Sequence, residues 1–275
     1  MRVLAWIVLL SGGMLVAACA SRFATLQPAG GPTDRALMGV VETPEGRGPF
    51  PVLVLLHGCG GPQPNGDRWA AEARAIGFMT VVSDQFTPLG ITQHCTDSSP
   101  RLWERSRDTH RLVRHLQQRP DVQADRVFLM GFSGGAIVAI GAATTQWDQH
   151  DPPWETGSRP PRPRGVIALY GSCSYFPFPA TSPVLLLLGG ADDWTPPGDC
   201  MAWAQGMRQE PRPPRVVVLE GAHHSFDQIE AGTSRFVAGF ANANRPGGFG
   251  ATVGYSRAAT DRARQEILAF LQEFR

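Results

Sequence analysis

The sequence predicts an α/β fold: a doubly wound, mostly parallel sheet with helices on both faces. Three observations predict it. Six apolar runs rich in Val, Ile and Leu are too short for helices. Helical patterns lie between them, and most joins are short. The chain has 275 residues and is 43% hydrophobic, enough for one sizeable core.

The apolar runs cover 51–56, 78–83, 126–130, 165–170, 183–188 and 215–219. Such runs read as strands buried on both faces. The helical pattern over 68–76 is Ala-rich. The pattern over 102–118 sets Leu102, Arg105/Ser106, Thr109, Leu112, Val113 and Leu116 at helical spacing. The segment 134–145 is small and apolar, suited to pressing on a sheet. A short helix is expected over 200–208. The last, over 260–274, puts Ala263, Ile267, Phe270 and Leu271 on one side and charges opposite. Right-handed crossovers bring the carboxyl ends of the strands to one edge, where sites form. Two segments break the rhythm. Segment 146–164 is rich in Pro, Arg and Trp, and 238–254 in Gly and Asn. Both read as loops, either lids or passive excursions. Residues 19–50 supply leading strands and join 51–275 in a single domain.

Residues 1–18 read as a secretory signal. Arg2 precedes an apolar run, and small residues lead to Ala17-Ala18-Cys19. The alternative is an uncleaved anchor, but glycines break a stretch marginal for spanning. The ending Leu-Val-Ala-Ala-Cys resembles a bacterial lipobox. That resemblance implies cleavage before Cys19, a lipid on its thiol and an envelope protein with a membrane tether. Cys59, Cys95, Cys173 and Cys200 remain, an even number that favours two disulfides in an exported chain. Three pairings exist. Cys59–Cys95 and Cys173–Cys200 are preferred because each would link loops after neighbouring strands. Buried free thiols are the alternative. No spacing matches a zinc site.

Gly131-Phe132-Ser133-Gly134-Gly135 follows a strand and opens a helix. This is G-x-S-x-G in its structural context, with Ser133 the candidate nucleophile on a sharp turn. Small neighbours let strand and helix approach, and the Gly134 N–H faces the oxygen that becomes negative on attack. A phosphate-cradling turn is the alternative, but the G-K-[ST] ending is absent. The first central strand ends in His57-Gly58-Cys59-Gly60-Gly61. The second oxyanion donor is expected there, from Cys59, with His57 in a structural role because a triad His follows the nucleophile. The required order is Ser, acid, His. Asp192 or Asp193 follows one strand, and His223 or His224 the next. Spacing alone leaves both choices open.

From 51 to 274 the chain resembles the dienelactone hydrolase family. His-Gly-Cys-Gly-Gly, Gly-Phe-Ser-Gly-Gly, Gly-Gly-Ala-Asp-Asp-Trp-Thr-Pro, Ala-His-His-Ser-Phe and the stretch from Gly254 through Asp261 to Ala263 carry the likeness. The resemblance implies the α/β-hydrolase fold, Asp192 as acid because it precedes Pro196 by four positions, and His224 as base because it precedes Ser-Phe. The name-giving enzyme of the family uses a cysteine nucleophile, and here the elbow carries serine. Hydrolysis of carboxylic esters or lactones is therefore expected, with the dienelactone substrate set aside.

No cofactor is implied, and a net charge of +1 gives no sign of nucleic acid as a partner. The expected partner is a small ester or lactone. Trp194, after the acid, is a candidate for the acyl pocket, and Phe132 for packing under the elbow. Trp103, Trp147, Trp154 and Trp203 read as core or surface anchors. Arg159, Arg162 and Arg164 form a basic cluster that reads as a solvated loop or an attractor of acidic substrate or phospholipid. A peptidase or acyltransferase on the same residues, and a non-catalytic exported binding protein, are the competing readings.

Overall fold

A computed structural model describes residues 22–27, 35–97, 102–145, 162–175 and 178–275. The apolar runs lie side by side as parallel strands, preceded by β1 (Ala24–Gln27) and β2 (Leu37–Glu42). They are β3 (Phe50–Leu56), β4 (Met79–Asp84), β5 (Val122–Phe132), β6 (Gly165–Leu169), β7 (Val184–Gly189) and β8 (Arg215–Leu219). The eight-stranded sheet has the order β1-β2-β4-β3-β5-β6-β7-β8. Only the leading strands are antiparallel to their neighbours. β3 to β8 are parallel. β3 sits between β4 and β5, so the chain order reverses there. A crevice opens at the carboxyl ends of strands flanking such a switch.

Among the described residues the α-helices are α1 (Pro64–Ala75), α2 (Leu102–Gln117), α3 (Gly134–Ala142), α4 (Gly198–Gly206) and α5 (Arg257–Phe274). Alternation along the strands divides the core in two. Val52, Val54 and Leu56 of β3 pack with side chains of α2, α3 and α4. Leu53 and Leu55 face the other way, toward Trp69 of α1 and Ile267 and Phe270 of α5. Each such aliphatic side chain, removed from water, favours folding by about 1.5–3 kcal/mol before conformational entropy is charged against it. All nine residues of α3 are buried, which explains its lack of polar side chains.

The expected strands and helices are all present, with some changed bounds. α1 begins four residues earlier than its Ala-rich pattern, because Pro64 is suited to the first turn. α5 begins three residues earlier, where the Ser256 side chain accepts the Ala259 N–H at 3.3 Å. The larger difference falls in 238–254, read as a loop. It contributes to an antiparallel hairpin of β9 (Arg235–Ala241) and β10 (Phe249–Val253), turned through Gly247 and Gly248 at positive φ. Most of β9 faces solvent, so burial leaves no alternating apolar signature to read.

Both preferred disulfides are formed, Cys59–Cys95 and Cys173–Cys200. Paired cysteines fit an oxidising compartment outside the cytosol. Among the described residues, no helix is long and apolar enough to cross a membrane. The expected signal segment 1–18, Cys19, Trp147, Trp154 and Arg159 lie outside the described residues, as does 146–161 of the first expected loop. Of the basic cluster, Arg162 bonds the Thr144 carbonyl at 2.6 Å and Arg164 the Phe274 carbonyl at 3.1 Å.

Candidate active site

The turn after β5 is strained at one residue. Ser133 has φ 51° and ψ −117°, outside the regions L-residues favour. Its neighbours make the turn feasible. A Cβ on Gly131 would lie 2.2 Å from the Gly135 carbonyl oxygen, and one on Gly135 would lie 2.1 Å from that of Leu56. Neither position admits a side chain. The Ser133 N–H donates to the Leu169 carbonyl at 3.0 Å, fixing the elbow to β6.

A continuous hydrogen-bonded path runs from the elbow across two loops. Ser133 Oγ lies 2.9 Å from His224 Nε2. His224 Nδ1 lies 2.8 Å from Asp192 Oδ2. A carboxylate only accepts, so Nδ1 carries the proton and Nε2 is free to accept from the serine hydroxyl. His224 and Asp192 are both buried. Burial alone would raise the Asp192 pKa. The adjoining His224 ring and the backbone N–H groups of Thr195 and Trp194 outweigh it and hold the carboxyl below its ordinary value. Those N–H groups reach Oδ1 at 2.9 Å each.

Asp193 and His223 stand outside this path. Asp193 Oδ1 accepts the Thr252 N–H at 2.7 Å, and Oδ2 accepts the Thr252 hydroxyl at 3.0 Å and Arg245 at 3.1 Å. It therefore fastens the hairpin to the loop after β7. His223 Nδ1 donates to the Ala191 carbonyl at 2.9 Å, tying the two loops together.

His57 is buried and faces backbone. The Gln85 N–H donates to its Nε2 at 3.1 Å, so the proton sits on Nδ1, which donates to the Gly58 carbonyl at 2.8 Å. Burial, then the adjacent Arg105, push its pKa well below the usual histidine value, so it is neutral. The peptide it grips is the one whose N–H belongs to Cys59. Cys59 and Ser133 line one cavity of about 260 Å³, with Phe132, Trp194, Phe240 and Val253 among its apolar walls. Phe132 thus faces the cavity at the elbow, and Trp194 stands at 4.7 Å from the His224 ring. Gly134 is buried as the first residue of α3. Among the described residues, no group of His, Cys, Asp or Glu is arranged to hold a metal ion.

Sequence reasoning missed three contributors. The hairpin supplies Phe240 and Val253 to the cavity. Buried Asp227 collects Tyr170, Asn65 and Trp69 around the His224 loop. Arg105 is fully buried behind the His57 turn. Its only signal was a cation on the apolar face of a helical pattern.

Sheet, crevice and elbow define an α/β hydrolase by fold. No family model matches the chain. Its fold is that of dienelactone hydrolase-like proteins. It superposes on a dienelactone hydrolase-like promiscuous phosphotriesterase from metagenomic libraries with a TM-score of 0.63 at 18% identity, over 87% of this chain and 93% of that one. It superposes on the propionate-bound esterase Est2 of the planctomycete Thermogutta terrifontis with a TM-score of 0.59 at 14% identity, over 86% and 89% of the two chains. In sequence it is 29% identical to esterase FrsA of Klebsiella pneumoniae over 118 residues, 40% of this chain. That match spans only a quarter of the esterase's length.

Proposed function

We propose that the protein is a serine hydrolase that cleaves carboxylic esters or lactones through an acyl-enzyme. The observation that carries this reading is the path from Ser133 Oγ through His224 to Asp192 at the mouth of an apolar cavity. His224 Nε2 takes the serine proton as Oγ bonds to the carbonyl carbon. The carbonyl oxygen becomes negative and is held by the Cys59 and Gly134 N–H groups. Collapse breaks the bond to the leaving oxygen, which takes the proton from His224. Water then attacks the acyl-enzyme, giving its proton to Nε2, and Ser133 recovers that proton as the acid departs. Asp192 holds the imidazole in the required tautomer throughout. The chemistry needs no cofactor.

The esterase and phosphotriesterase neighbours support hydrolysis at a carbonyl or related centre. A cavity of about 260 Å³ with apolar walls has room for a small ester, and Est2 was solved with propionate. The two disulfides support export. On this reading residues 1–18 are removed and Cys19 carries the tether.

The test is labelling with a fluorophosphonate, mapped by peptide mass spectrometry. Modification of Ser133, lost in His224→Ala, is expected. A folded protein that takes no label there would overturn the reading in favour of a binding protein.

A further inference from the structure

A buried cation lies against the turn that leads into Cys59 and against the start of α3. Arg105 of α2 has no solvent exposure. Its Nη2 donates to the His57 carbonyl, and its Nε donates to Gln85 Oε1 at 2.9 Å. Gln85 returns a bond from Nε2 to the Arg105 carbonyl at 2.9 Å, and its own N–H holds His57. The guanidinium carbon stands 5.3 Å from the centre of the Phe86 ring. On the other side, a Cβ on Gly134 would sit 3.0 Å from Nη1. Arg105 thus touches the turn that carries Cys59 and the first residue of α3 together.

Among the described residues no carboxylate pairs with Arg105, and Nη1 has no hydrogen-bond partner. Burial pushes its pKa down to about 9, so it remains cationic near neutrality. An unpaired buried charge is costly to the resting fold. The same charge becomes favourable when a negative oxygen forms nearby, because a dry surrounding weakens screening. That is a cost in the ground state returned in the transition state.

We propose that Arg105 is the positioning residue of the oxyanion hole: wedged between the His57 carbonyl and Gly134, it holds the peptide next to the Cys59 donor, packs on the residue that carries the second donor, and lends its unpaired charge to the oxygen they receive. The inference rests on the acyl-enzyme reading. Arg105 acts through backbone and does not touch substrate.

The experiment compares Arg105→Lys and Arg105→Met on a p-nitrophenyl ester of a short acid, with folding followed by thermal melting. Loss of one oxyanion donor costs on the order of 10²–10³ in kcat, so Arg105→Met is expected to lose about 10² with KM within about twofold. Arg105→Lys keeps the charge and is expected to recover most of that loss. A folded Arg105→Met that keeps kcat within about threefold overturns the proposal. So does an Arg105→Lys protein that melts normally yet is as slow as Arg105→Met, or a loss shared equally by kcat and KM. Should Arg105→Met not fold, Arg105→Lys decides alone: near-normal kcat supports the charge, and a large fall in a folded protein refutes it. Fluorophosphonate stoichiometry at Ser133 in the unaltered protein tests the underlying reading separately. Full labelling with indifferent Arg105 variants defeats only this inference, whereas no labelling defeats the reading it rests on.

Discussion

Asp192 and Asp193 are adjacent in sequence and bind opposite sides of the site. Asp192 Oδ2 lies 2.8 Å from His224 Nδ1, beneath the cavity. Asp193 turns outward and takes both the N–H and the hydroxyl of Thr252 on β10. One dipeptide therefore orients an imidazole and anchors the hairpin that walls the cavity. The Trp194 ring that follows stacks on Phe240 of β9 at 4.5 Å. Its indole N–H donates to the Ala241 carbonyl at 2.8 Å.

The two acids are expected to separate kinetically. Asp192→Asn offers an amide where His224 needs an acceptor and favours the wrong tautomer, so kcat should fall by about 10⁴ with KM little changed. Asp193→Ala releases the Thr252 and Arg245 bonds and loosens the hairpin while leaving the imidazole bonded. It should raise KM more than it lowers kcat, because the hairpin that carries Phe240 and Val253 into the cavity wall is held less firmly. Steady-state kinetics on one ester decide the matter. Equal losses of kcat in both variants would remove the distinction.

The two disulfides should also differ. Cys173–Cys200 joins the segment after β6 to α4, and neither cysteine lines the cavity. Replacing both by Ser should cost about 2–4 kcal/mol of stability and leave the rate per folded molecule unchanged. Cys59–Cys95 instead holds the proposed oxyanion turn, and the Cys95 carbonyl accepts the Ala241 N–H of the hairpin at 2.8 Å. Its removal should lower kcat as well. Melting curves and kinetics of the paired variants, with the unaltered protein in and out of reductant, measure both effects.

What was legible in the sequence follows from how each signal arises. β3, β4, β6, β7 and the second half of β5 are buried on both faces and the edge strand β8 is half-buried, so each announces itself as a short apolar run. The elbow was legible because steric exclusion at Gly131 and Gly135 dictates residue type. The choice of Asp192 over Asp193 was not decided by spacing: both follow β7, and only the direction each side chain takes separates them. The hairpin was hidden because β9 owes its form to pairing with β10 and to side-chain anchors such as Asp193 and Asn242, not to burial. Arg105 shows the limit from the other side. Its position on a helical face was visible, but its contacts with residues 48 and 20 positions away are purely tertiary.

Stability should decline in acid partly through Asp192. Its folded pKa is held below the ordinary carboxylate value. Its contribution is therefore complete above that ordinary value and is lost as pH falls through the lowered folded one. Buried Asp108 has the opposite sign. Burial raises its pKa against the pull of Arg35 and Arg111, so it favours the fold below the ordinary value and loses that contribution as pH rises. Denaturant titrations between about pH 3 and 7 should show Asp192→Asn with a shallower acid decline than the unaltered protein, and Asp108→Asn with a steeper one. Parallel curves would mean that neither carboxyl is coupled to folding as its surroundings imply.

Asp227 should prove the most sensitive residue outside the site itself. It lies three residues after His224, beyond Ser225, which adopts φ 62°. Its Oδ1 accepts the Tyr170 hydroxyl at 2.7 Å, and its Oδ2 accepts Trp69 Nε1 at 2.7 Å and Asn65 Nδ2 at 3.0 Å. These donors come from β6's end and from α1, so one buried carboxylate pins the histidine loop to two elements. Asp227→Ala would strand the Trp69 and Tyr170 donors and leave Asn65 only its 3.3 Å bond to the Tyr170 oxygen, for a loss of about 2–6 kcal/mol at about 1–3 kcal/mol for each stranded donor. Tyr170→Phe removes its bond to Asp227 and the weaker one it accepts from Asn65 at 3.3 Å, and leaves the carboxylate its other two donors, so about 1–2 kcal/mol is expected. Because the loop also carries His224, kcat should fall in Asp227→Ala even under conditions where the protein stays folded. Urea denaturation paired with kinetics below the transition tests both parts. A stable Asp227→Ala protein would show that ordered water replaces the carboxylate. A destabilised one with normal kcat would show that the β10 contact through the His224 carbonyl and Gly254 N–H, at 3.1 Å, suffices to hold the imidazole.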